Sequence, residues 1–455
     1  MTRTLSWGLA ALVAVSSLAR AQDGSTTSPV LVQALRAWQP VPEEENAALI
    51  LKDVAKRLLA KAKAPAAPRL PEELRSAEDS DPRVVDHLRK LVAFNRGELD
   101  RLDLITEGSK FDWGDPPASP VVLAPIDLER EVGSTRATGL LCWDAQLARV
   151  DGDLDRMLRR AEQVDAIARG ESLALSGWQR TGYLPGCRAA ILAAVASSVD
   201  FNAYATTPAG RERLNRLLVQ LQDDRIERQS VRDWANREAI VARDTAAAVR
   251  AKRVKPGHST GINFDTISGY LVEQNFSADA IEGFAEVMDE IARLIGDDEP
   301  FTRAHYRKAM DARIIQPLQK KPVLMMTLGQ SALPRVSEQV AQSFNTLARQ
   351  HAVTVALAAR LYALDHSGQL PPSLIDLVPD YLQSELRDNT APDGSAVRYE
   401  SGSNARVWTT LDGKDDGGND PPPSLIGRNS RLKDFVIPLP KPSREILTPA
   451  TTPVR

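Results

Sequence analysis

Apolar residues recur at three- and four-residue spacing over most of this chain, the pattern of helices with one buried face. Leu154, Met157, Leu158, Ala161, Val164 and Ile167 form one such stripe, and Val84, Val85, Leu88, Leu91, Val92 and Phe94 another. The pattern predicts helices over 82–104, 137–150 and 154–168, the last two joined by Asp151-Gly152-Asp153. Further helices are predicted over 171–199 with a kink at Pro185, and over 211–221, 231–249, 276–295 and 304–318. The longest candidate is 336–365. Pro42-Glu-Glu-Glu-Asn-Ala-Ala48 reads as a helix start, with acids at the positive end of the dipole. After residue 365 the period changes. Prolines 371, 372 and 379 punctuate the chain, and short strand-like runs follow at 396–400 and 406–410.

Composition agrees with a mainly helical protein. Aromatic residues are 5% of 455 and charged residues 26%, which disfavours both an all-β chain and global disorder. A net charge of −3 argues against a nucleic-acid binder. The first residues carry a different message. Arg3 precedes an apolar run from Leu5 to Leu18, and Ala19-Arg20-Ala21 places small residues before a cut at Gln22. That is the pattern of a secretory signal, so a periplasmic or secreted protein is expected, with no membrane span in the mature chain. Removing residues 1–21 takes two arginines and no acid, moving the charge from −3 to −5. In an oxidising compartment Cys142 and Cys187 are equally well read as a disulfide or as two buried thiols.

The predicted divisions are a signal (1–21), N-terminal helices and linkers (22–126), a helical domain (127–335), an α+β module (336–419) and a Pro-rich tail (420–455). The Gly-Asp turn between helices resembles tetratricopeptide-like hairpins, although no 34-residue period is present. The module carries the more specific resemblance. Ala359-Arg-Leu-Tyr-Ala-Leu-Asp-His-Ser-Gly-Gln-Leu-Pro371, Leu374-Ile-Asp-Leu-Val-Pro-Asp-Tyr-Leu382, Arg387-Asp388, Val397-Arg-Tyr, Val407-Trp-Thr-Thr and Leu411-Asp-Gly-Lys-Asp-Asp-Gly-Gly418 follow in order. This order resembles the globular part of the type II secretion major pseudopilin. It implies a fold module rather than pilus assembly, because the helix from Val336 carries Glu338, Gln339, Arg349 and His351. Asn389 stands where that family usually has proline. The whole chain also resembles exported helical bacterial proteins of unknown function, which share the Pro42–Ala48 pattern and this module.

Three groups of residues invite a chemical reading. Asp412, Asp415 and Asp416 lie on a Gly-rich loop, where clustered carboxylates can wrap a hard cation. The pseudopilin resemblance implies calcium there, at Asp412 and Asp415 above all. The spacing is not that of an EF-hand, since Pro423 occupies the twelfth position. Gly257-His-Ser259-Thr-Gly261 matches G-x-S-x-G, but the basic, Pro-ending run before it lacks the strand that a nucleophile elbow requires. None of the five histidines pairs with another at helical spacing. His87 and His351 are expected at the surface or its boundary, and His366 at a helix end. The expectation is therefore an exported, non-enzymatic binding or scaffolding protein with an envelope partner, possible calcium support and no nucleic-acid partner. An envelope serine hydrolase using Ser259 is the alternative.

Overall fold

The computed structural model describes residues 41–62, 78–113, 128–172, 183–257, 266–296, 301–425 and 433–440, with positions 68, 71 and 74. Eight helices build its first half: α1 (Ala47–Ala62), α2 (Pro82–Phe94), α3 (Arg96–Leu102), α4 (Leu128–Val150), α5 (Leu154–Ser172), α6 (Tyr183–Ala196), α7 (Phe201–Ala205) and α8 (Pro208–Leu221). Then come α9 (Arg225–Arg250), α10 (Ile267–Glu273), α11 (Ala278–Leu294), α12 (Arg303–Met310), a π-turn at Asp311–Ile315, α13 (Gln316–Gln319) and α14 (Pro322–Asp365). A sheet of β1 (Arg398–Glu400), β2 (Arg406–Thr410) and β3 (Asp434–Pro438) closes the fold, antiparallel and in sequence order.

Local chemistry sets the boundaries. Asp81 accepts from the Arg83 N–H ahead of Pro82, and Thr207 accepts from the Gly210 N–H ahead of Pro208. Ser277 and Thr302 cap α11 and α12 the same way. Between α4 and α5, Gly152 sits at φ +73°, a left-handed conformation that suits glycine, with the Asp200 carboxylate 3.0 Å from where a Cβ would stand. The Pro42–Ala48 pattern has a tertiary use as well as a local one. Asn46 accepts from the N–H groups of Ala48 and Asp112 and donates to the Asp112 carbonyl, clamping 110–113 to the start of α1.

The apolar stripes meet in two cores. The first gathers side chains from α1 to α8, the second half of α14 and the sheet; Leu51, Leu141, Val164, Leu357 and Val407 are among them. The second gathers α9 to α13 and the first half of α14, including Trp234, Phe284, Met288 and Phe344. The 44-residue α14 threads both, and Pro334 lies inside it. It therefore begins 14 residues earlier than the pattern after that proline suggests. A polar cluster pins α4 to α5 in the first core: Asp144, fully buried, receives Arg156 and Arg160, and Arg160 also reaches Asp103 and Gln163.

The cores run across two of the expected boundaries. The helical stretch 127–335 is split between the cores near residue 222, and the α+β module shares its core with the N-terminal helices instead of standing apart. The tail expected from residue 420 also supplies β3. Phe435, Val436 and Ile437 are buried, and their strand pairs with β2 through Val407↔Ile437 and Thr409↔Phe435. An apolar triplet of one aromatic and two β-branched residues among prolines still suffices for a strand once an edge is available.

Candidate functional site

The seam between the cores holds a cleft of about 630 Å³. Its walls come from α5, α6, the end of α8, the start of α9 and the middle of α14. Leu184, Leu192, Leu221 and Val353 give it an apolar side. Gln350 on α14 donates to the Leu221 carbonyl (2.8 Å) and so fixes the end of α8 against the seam.

Charges on the walls are partly matched. Asp165 is bridged by Arg188 (2.9 Å) and Arg169 (3.4 Å), and Asp223 by Arg225 (2.8 Å). Glu227 stands in the first turn of α9, half-buried in the wall. Burial pushes its carboxyl up to about 7; Ser343 on α14 draws it down, and the charge of Asp165 adds to the rise. A cavity at the junction of two packed units, with an apolar wall and a carboxyl titrating near neutrality, is where ligand binding is sought first.

Sequence reasoning missed this site. Its residues span positions 107 to 353 on six segments, and every stripe that lines it also reads as core. One signal was available. Asp223-Asp224 ahead of Arg225-Ile226-Glu227 is an acidic helix entry, which starts α9 six residues before the predicted position and puts Glu227 on it.

The expected metal loop is arranged differently. Asp415 receives Arg398 (2.9 Å), the Trp408 indole N–H (3.2 Å) and the Gly417 N–H (3.0 Å). Asp412 accepts from the Lys414 N–H within its own turn. Asp416 is in hydrogen-bond contact with Asp434 instead; the contact draws the Asp416 carboxyl down and adds to the rise that burial gives Asp434. Among the described residues no three Asp, Glu, His or Cys side chains gather around one point to hold a metal ion. Asp415 ties the loop to the sheet, through Arg398 and Trp408. The same holds for Asp388, fully buried, which accepts from the Thr410 N–H (2.9 Å) and Arg398 (2.8 Å).

The structure brings Cys142 and Cys187 together on α4 and α6 as free thiols in hydrogen-bond contact. Burial and its partner push the Cys142 thiol up, while Cys142 and Tyr183 hold Cys187 down. Ser259 and His258 lie outside the described residues, and only Gly257 of that motif is placed, at φ +78°. His351 is not a boundary group: it is buried, and its Nδ1 meets the Arg387 carbonyl at 2.7 Å. Burial lowers its pKa below the ordinary histidine range. His366 does end α14, stacked 3.7 Å from the Tyr362 ring. The basic run from Arg250 begins on α9, where Arg250 pairs with Asp279 and Glu282.

The chain matches no family model, no curated protein and no solved structure. No helix among the described residues is long and apolar enough to cross a membrane.

Proposed function

We propose that this is an exported, non-enzymatic binding protein of the periplasm or cell envelope, with the cleft between its cores as the ligand seat. The observation that carries the reading is the cleft. Its size lies within the range of small-molecule sites, and it joins an apolar wall to a few placed charges. Export is supported by Arg3, the Leu5–Leu18 run and Ala19-Arg-Ala21. The order of long helix, short Leu374–Leu377 turn and antiparallel strands supports a likeness of the C-terminal module to the pseudopilin globular part. In this reading the module closes the first core and does not assemble into a filament.

Gln229 is exposed on the rim of the cleft, so Gln229→Trp fills the mouth without touching either core. Native mass spectrometry of protein purified gently from envelope extract is expected to find a small ligand on the wild type. The variant should lack it while melting at the same temperature. Equal loading of both proteins would remove the cleft from the proposal. N-terminal sequencing of the exported form is expected to begin at Gln22; a chain that retains Met1 contradicts signal cleavage.

A further inference from the structure

We propose that the cleft takes an organic cation on an apolar stem, with the Glu227 carboxylate as its counter-charge; this rests on the cleft being the ligand seat. The first argument is the charge balance of the walls, which carry six carboxylates against three guanidinium groups. All three guanidinium groups are already engaged, Arg169 and Arg188 on Asp165 and Arg225 on Asp223. The second is the position of Glu227. Among the described residues the groups that act on it are Asp165 from α5 and Ser343 from α14, and no cation is among them. Around the same cleft α6 presents Arg188, α9 presents Arg225 and Asp233, and the turn after α3 presents Glu107. The third is the apolar side at Leu184, Leu192 and Val353, which suits an alkyl or aromatic stem behind the charged head.

The chemistry balances simply. With its carboxyl raised to about 7, Glu227 is mostly protonated in mildly acidic solution. An arriving cation favours the carboxylate, so the proton leaves to the buffer and an ion pair forms in its place. The start of α9 also favours the ionised form, because its dipole is positive there.

Calorimetric titration of the full-length protein with octylguanidinium and with octanoate tests this, at pH 6 and pH 9 in buffers of different ionisation enthalpy. Octylguanidinium is expected to bind, releasing close to one proton per site at pH 6 and none at pH 9. Glu227→Gln, checked for an unchanged melting curve, should bind it about tenfold more weakly or worse and release no proton. Preference for octanoate, equal proton release from Glu227→Gln, or binding of neither probe would overturn the cation assignment. Gln229→Trp separates the two claims. If octanoate binds the wild type and Gln229→Trp abolishes that binding, the cleft stands as a ligand seat and only the ligand class is wrong. If octylguanidinium binds both proteins alike, the cleft itself is wrong.

Discussion

Arg360→Ala is expected to remove about 3–5 kcal/mol of stability. Arg360 is the largest fully buried side chain, on the part of α14 that lies in the first core. Its guanidinium donates to the carbonyls of Ala196 (3.4 Å), Ser198 (3.2 Å) and Pro440 (3.4 Å) and to Asn202 Oδ1 (3.1 Å). It also lies 4.8 Å from the centre of the Phe201 ring. Among the described residues no carboxylate balances the charge; the negative end of α6 and a set of carbonyls do so. Burial accordingly lowers its pKa to about 10, which leaves it charged at neutral pH. Alanine would open a cavity and strand acceptors from three segments at once. Arg360→Met keeps most of the volume and still strands the acceptors, so its loss should be smaller, about 2 kcal/mol. Urea unfolding measures both. A loss under about 1 kcal/mol for the alanine variant would mean that the guanidinium does not hold these segments together.

Stability is expected to peak near pH 5 and to fall as the pH rises to 9. Two deeply buried carboxyls drive this. Glu238 on α9 is 4% exposed, takes N–H donors from Ile267 and Ser268, and is pushed by burial to about 8. Asp434 at the start of β3 is fully buried, and burial together with Asp416 beside it raises it to about 7. Both folded-state values lie above those of the unfolded chain. The folded protein therefore holds protons that the unfolded chain has released, and each group's contribution is lost as the pH climbs through its folded value. On the acid side the direction reverses. Asp144 and Asp103 are held low by Arg156 and Arg160, so their contribution disappears as the pH falls below the ordinary carboxylate range. Glu238→Gln and Asp434→Asn should each gain on the order of 2 kcal/mol over the wild type at pH 9 and little at pH 5. Urea unfolding at pH 5, 7 and 9 measures the difference; a gain that does not grow with pH would show that these carboxyls ionise normally.

The readable parts of the fold were those decided by neighbours in sequence. The α4–α5 turn was legible because the left-handed position at Gly152 suits glycine, and β2 was legible because Val407 and Trp408 sit in a β-favouring run. The hidden parts depend on partners far along the chain. Phe435-Val-Ile looks like part of a proline-rich tail until β2, some 25 residues earlier, offers it an edge. His351 looks like one polar group among others on a helix until the Arg387 carbonyl meets it inside the core. Asn389 likewise looks like an ordinary loop residue until the fold gives it partners. Its side chain donates to the Phe301 carbonyl (2.8 Å), and its own carbonyl accepts from the Arg303 N–H (2.9 Å), docking the module against the start of α12. The cleft was the least legible feature, because no two of its walls are read together in sequence.

The path of α14 has a consequence in time. The second core is contributed by residues 231–347, one continuous stretch, whereas the first needs residues 47–221 and then 352–439. Synthesis and export both deliver the chain from its N-terminus, so the second core is complete while the first still awaits residues 352–439. The helices made first are thus the last to be sealed, by a strand that follows every helix of the fold.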